Sequence, residues 1–259
     1  MSTRPRRGLA ADIAFTVPAE RGRFAQSDRR PRREPSLSRV IEAASLRGDG
    51  GVELRRHSVP DHPLFLDAAG ALAHGTLLRT AGGPMAVEDL APGDRLVTAE
   101  GDAVPILWIG RTTIAPGTGA PPLTRVMPEA FGPGRPATDL LAGPAARRLH
   151  AHPALERLSG RARVLTPLAD LRDGEGVIAV TPPGPVRVFQ VLTARHTAYD
   201  AGGLMLETFH PGLRAAETLA PELRALFLSL FPHLTDFAGF GALGWPRVSG
   251  ETIARLTAA

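Results

Sequence analysis

The chain has 259 residues, a formal net charge of +4, 28 glycines, 25 prolines and no cysteine. That glycine and proline content suits the many turns of an all-β protein and is too high for a helical bundle, while the length allows one domain with a sizeable core plus a tail. The missing cysteines exclude a disulfide framework, a thiolate metal site and a cysteine nucleophile; lysine and asparagine are also absent, which excludes a Schiff-base amine and any step that needs an asparagine side chain.

Residues 1–35 contain the run DRRPRREP and read as an Arg-rich, disordered arm. Residues 1–60 hold thirteen arginines against seven acidic residues, so the basic character of the chain belongs to its start. Arginine clusters neutralise phosphates, which makes a nucleic-acid or anionic-surface contact one reading of the arm. Few aromatics interleave with the arginines to stack on bases, so a solvated tail is the favoured reading and a nucleic-acid partner is not expected. The Arg6-Arg7 pair opens a twin-arginine pattern, but Asp12 interrupts the apolar stretch behind it, and no apolar run reaches the roughly 18 residues of a membrane span. The expected location is the cytoplasm, or outside the cell without a recognisable N-terminal signal.

Residues 36–67 are expected to be a linker that packs on the main domain. The spacing predicts a short helix over 36–47, capped by Ser36, with Leu37, Val40, Ile41 and Ala44 on one face and Gly48 past its end. Residues 51–59 (GVELRRHSV) read as a strand. From 75 to 111 the sequence GTLLRTAGGPMAVEDLAPGDRLVTAEGDAVPILWIGR alternates apolar residues between glycine turns at 81–83, 92–94 and 100–102, the pattern of successive β hairpins. The adjacent carboxylates Glu88 and Asp89, then Asp94 and Asp139, are assigned to capping and turn bonds.

Segment 145–158 has no clear type. Strands are expected at 163–168 and 177–183. The stretch 186–202 (VRVFQVLTARHTAYDAG) is apolar on both faces, the mark of a buried strand. A helix is expected near 220–231, where Leu219, Leu223, Leu226, Phe227, Leu230 and Phe231 recur at helical spacing behind Pro221. Phe237, Phe240 and Trp245 then fold back on the same body. His150 and His152 form a His-Ala-His spacing with no evident third ligand, so no metal is expected, and no cofactor either. His210, in FHPG, belongs to a turn.

Five ordered blocks carry a resemblance. The stretch AVEDLAPGDRLVTAEGDAVPILWIGR is similar to the signature of the Hint (hedgehog/intein) fold of bacterial Hint-domain proteins. VMPEAFGPGRPATDLL, RVLTPLADLRDG, FQVLTARHTAYDAG and ETFHPG follow in that family's order, from about Ala71 to the C-terminus. The resemblance implies a mainly β, Hint-type fold over 68–212, with a C-terminal amphipathic helix in an extension over 213–259. It also implies self-processing chemistry, in which a Cys, Ser or Thr at the first position attacks the preceding carbonyl in an N-to-S or N-to-O acyl shift. Such a shift needs an activated nucleophile, a histidine near the scissile amide and donors for the oxyanion.

Carried over residue by residue, the resemblance puts Ala71 at the nucleophile position and Ala145 at that of the block histidine. Gln190 stands where the late strand often has histidine, and His196, after Arg195, keeps a family position. The implied site is thus vestigial, and the expectation is a catalytically silent domain acting as a structural or interaction module, with a protein as its partner. The alternative is an active self-cleaving protein using Thr76, assisted by His74, as a displaced nucleophile. A shift of several residues along a strand moves that hydroxyl out of reach, which disfavours it.

Overall fold

The computed structural model describes residues 37–117, 119–151, 156 and 162–257. The Arg-rich arm and His152 therefore lie outside the described residues. The first element corrects the expectation of a helix over 36–47. Strand β1 (Leu37–Leu46) pairs antiparallel with β2 (Val52–Pro60) and, over Glu42–Ser45, with the long strand β7 (Ala103–Ile114). Burial along it has the period of a strand: Arg39, Ile41, Ala43 and Ser45 face inward, while Val40, which a helical face would bury with Ile41, is 39 % exposed. Cross-strand pairing on both edges overrides the local helical spacing. The short helix stands later, as α1 (Pro63–Ala69), with Pro63 in its first turn and the His62 Nδ1 accepting from the Leu64 N–H.

The hairpin region follows the glycine turns: β4 (Leu77–Thr80) pairs with β5 (Gly83–Ala86) and β6 (Arg95–Val97), and β6 with the first part of β7. Downstream come β8 (Leu123–Val126), β9 (Leu140–Ala142), β10 (Arg147–Ala151), β11 (Arg163–Pro167) and β12 (Val177–Val180). The apolar stretch forms β13 (Val186–Thr193) and β14 (Ala198–Ala201), followed by β15 (Leu204–Glu207). Every pairing between these strands is antiparallel, and their order across the sheet is β11-β10-β15-β14-β4-β6-β7-β13-β3-β9-β8-β12, where β3 is Leu72–Ala73. β13 is central as expected, buried on both faces from Val188 onward.

Three helices follow, α2 (Ala215–Thr218), α3 (Pro221–Leu228) and α4 (Gly250–Thr257). The predicted apolar stripe is a core face: Leu219, Phe227, Leu230 and Phe231 are buried. They meet Ile41 and Ala43 of β1, Phe65 and Ala68 of α1, and Trp108 of β7 in one cluster. The Trp108 ring lies 4.5 Å from that of Phe231, and its Nε1 donates to the Leu230 carbonyl at 2.6 Å. Gly110 makes this arrangement possible. A Cβ there would stand 2.1 Å from the Trp108 ring and 2.9 Å from the Ala68 carbonyl, so the glycine of the Trp-Ile-Gly-Arg sequence is set by a close approach of α1 and the indole. The second, larger core fills the domain around Leu78, Leu96, Ile106, Phe189 and Tyr199.

Candidate functional site

Helix α1 ends at the Gly70–Ala71 peptide. The Gly70–Ala71 peptide runs between β9 and β13: the Ala71 N–H donates to the Phe189 carbonyl at 2.9 Å, and the Ala71 carbonyl accepts from the Gly143 N–H at 2.8 Å. The Gly70 carbonyl, which an acyl shift would attack, accepts the Ala145 N–H at 3.0 Å. A Cβ on Gly143 would fall 2.1 Å from that carbonyl oxygen, so the turn after β9 can approach the junction only with glycine there. Ala71 and Ala145 are thus brought together, with one backbone donor on the carbonyl, and both methyls are buried. The next residue, Ala146, is buried too, so neither position of this turn brings an imidazole to the junction.

Gln190 follows the residue whose carbonyl holds Ala71, and its buried side chain folds back so that Oε1 accepts the Val191 N–H at 2.9 Å. His196 joins the junction indirectly, through side chains that the sequence pattern does not single out. Arg147, the first residue of β10, reaches the Ala145 carbonyl at 3.4 Å, Glu207 Oε2 at 3.3 Å and Asp67 of α1 at 3.6 Å. The other oxygen of Glu207 contacts His196 Nε2 at 2.9 Å and accepts from Arg247 Nε at 2.8 Å. The Gly244 N–H donates to His196 Nδ1 at 2.8 Å, which leaves Nε2 as the protonated nitrogen facing the carboxylate.

Burial opposes the charge on Glu207, but the His196 hydrogen bond and the Arg247 and Arg147 charges outweigh it and hold the carboxyl at about 2. Asp67 is raised above the usual carboxylate range by burial, against the pull of Arg147 and Arg247. His210 stacks edge-on against His196 at 5.3 Å; its Nε2 donates to the Gly241 carbonyl and its Nδ1 accepts the Gly212 N–H. Burial above all pushes His210 down to about 4. The only sequence signal for this network is a carboxylate inside the apolar run LMLETF, which must be paired if it is buried.

The displaced pair lies apart from this arrangement. The Thr76 Oγ1 donates to the Ala73 carbonyl at 2.7 Å, and His74 is exposed. Glu88 accepts the Gly75 N–H at 2.7 Å and Asp94 the Ala91 N–H at 2.8 Å, while Asp139 pairs instead with Arg125 at 2.5 Å. His150 contacts Thr166 Oγ1 at 2.9 Å. Among the described residues no group of three or more His, Asp or Glu side chains is placed to hold a metal, and no helix is long and apolar enough to cross a membrane.

A mainly antiparallel β domain that opens on a peptide bond laced into two strands defines a scaffold of the intein-like, self-processing class. The chain belongs to the Hint domain family, whose model matches residues 70–213, more than half of its length and beginning at the junction itself. It is similar to the MchDnaB-1 intein, with 22 % identity over 54 % of this chain and 100 % of that one and a TM-score of 0.36. It is also similar to a bacterial intein-like domain from Clostridium thermocellum, with 13 % identity over 54 % of this chain and 99 % of that one, again with a TM-score of 0.36. No curated protein matches the sequence.

Proposed function

We propose that this chain is a catalytically silent member of the self-processing family, kept as a structural or interaction module. The observation that carries the reading is Ala71: at the position that the family resemblance gives the nucleophile, it bears only a buried methyl group. Acyl transfer depends on its nucleophile as part of a unit, and single losses in comparable units cost on the order of a millionfold in rate. The hydrogen bond from Ala145 can polarise the carbonyl, but polarisation without an attacking atom makes no ester.

The packing of the flanks supports the same reading. Residues before the junction pair with β7 and share an aromatic core with residues after β15. A break at Gly70–Ala71 would leave both pieces held in one body. The test is the mass of the purified protein after prolonged incubation with thiol and with hydroxylamine, where a single intact chain is expected. A time-dependent split between residues 58 and 76 that Thr76→Ala abolishes would overturn the proposal.

A further inference from the structure

A pocket of about 410 Å³ opens along β10 and β11 at one edge of the sheet. Arg135, Arg148 and Arg163 line it together with His150, Gly203 and Met205, and among the described residues of the lining none is acidic. Many arginines elsewhere are paired, although Arg56, Arg79, Arg95, Arg172, Arg187 and Arg224 also lack a carboxylate within ion-pair distance among the described residues. Arg39, Arg55, Arg111, Arg125, Arg147, Arg195 and Arg247 each have a carboxylate within ion-pair distance. Among the described residues the three pocket arginines have none. Arg148, half-buried, lies with its guanidinium carbon 4.0 Å from the centroid of Phe131, and Arg163 lies 5.4 Å from that of Trp245.

Aromatic faces orient guanidinium groups and leave their N–H edges unspent. Burial, with the like charge of Arg135, brings Arg148 down to about 10, so it stays charged at neutral pH, with no carboxylate paired to it among the described residues. Asp200 Oδ1 accepts the Gly203 N–H at 2.7 Å. Arg148 is half-buried while Arg135 and Arg163 are exposed, and three like charges lining one pocket are complementary to an anion. A carboxylate offers two oxygens in a plane and is satisfied by one guanidinium fork. A phosphate monoester offers nearly two negative charges and three terminal oxygens, enough for three guanidinium groups.

We propose that this pocket binds a phosphate monoester, with the phosphate seated among Arg135, Arg148 and Arg163 and the esterified group lying toward Met205. The volume is that of a small-molecule site. Titration calorimetry with glycerol 3-phosphate and with inorganic phosphate, against glycerol and sodium chloride at matched ionic strength, tests it. Co-sedimentation with phosphatidic-acid vesicles presents the same group on a lipid. A saturable response to glycerol 3-phosphate that weakens about tenfold or more in Arg163→Ala and in Arg148→Met supports a soluble ligand. A response to the vesicles alone, lost in the same variants, supports the same chemistry on a lipid headgroup. No response to any phosphate probe, or a response unchanged in Arg163→Ala, overturns the proposal. Because Arg163 is exposed, that variant decides the matter even where Arg148→Met loses its cooperative melt.

Discussion

His196 Nε2 and Glu207 Oε1 meet at 2.9 Å in a part of the molecule where both side chains are all but sealed from water. The contact joins the turn after β13 to the end of β15, and Arg147 and Arg247 complete the set of partners. Removing the carboxylate would leave two guanidinium groups and an imidazole facing one another. Glu207→Ala is therefore expected to destabilise the protein by about 3–5 kcal/mol, the range for breaking a buried ion pair on one side. Urea unfolding of the variant beside the parent measures it, and Glu207→Gln, which keeps an acceptor for His196, should recover part of the loss.

The pH dependence of stability has a definite sign. His210 is held neutral in the fold, with its pKa near 4 against an ordinary value of 6.5. The unfolded chain thus takes up the proton first, and the protein is expected to lose roughly 3 kcal/mol of stability as pH falls from about 6.5 to about 4. Glu207, depressed to about 2, adds a second loss from about 4.5 downward. Thermal melts from pH 7.5 to 4 should show the first fall. In His210→Gln, which keeps the hydrogen-bonding capacity but cannot charge, that fall should shrink.

Restoring a nucleophile alone should not restore the reaction. In Ala71→Cys the thiol would stand beside the Gly70 carbonyl, but the turn of Ala145 and Ala146 supplies no imidazole, and the Ala71 N–H remains bonded to Phe189. Intact mass after incubation with dithiothreitol is expected to show an uncleaved chain. Appearance of the 1–70 fragment would mean that the junction still holds enough of the older machinery to work once a thiol is supplied.

The junction and the indole each depend on a missing side chain. Gly143→Ala would drive a methyl group into the Gly70 backbone, and Gly110→Ala would drive one into Trp108 and the Ala68 carbonyl. Because backbone atoms are among the obstacles at both places, each variant is expected to lose about 2 kcal/mol or more. Ala substitution at Gly184, where a Cβ would meet nothing within 4 Å and φ lies outside the left-handed range, is the control and should melt with the parent.

Much of the domain could be read from residue order, because its hairpins advertise themselves through glycine turns and period-two alternation. β4 runs up to the turn at 81–83, β6 lies between those at 92–94 and 100–102, β7 follows the last, and β13 shows its burial through apolar residues on both faces. β1 was not legible, since Leu37, Val40, Ile41 and Ala44 satisfy a helical spacing and only the presence of β7 and β2 decides for a strand. The emptiness of Ala71 can be seen in the sequence once the surrounding blocks are aligned. The charged cluster around Glu207 cannot, because its members come from residues 67, 147, 196, 207 and 247, and only the folded chain brings them into contact.

Trp108 lies against Phe209, Leu230 and Phe231, in one cluster with Phe65 from before the WIGR strand and Phe240 from far after it. On the ribosome, this means that the WIGR strand emerges long before the residues that cover it. The nascent chain must carry an uncovered indole through the synthesis of more than a hundred further residues, since the Leu230 carbonyl that receives its N–H lies 122 positions downstream. Contacts of such sequence separation slow folding. The protein can therefore complete its aromatic core only after the residues around 227–240 have emerged, and a product stalled before them would display the aromatic surface that the folded molecule hides.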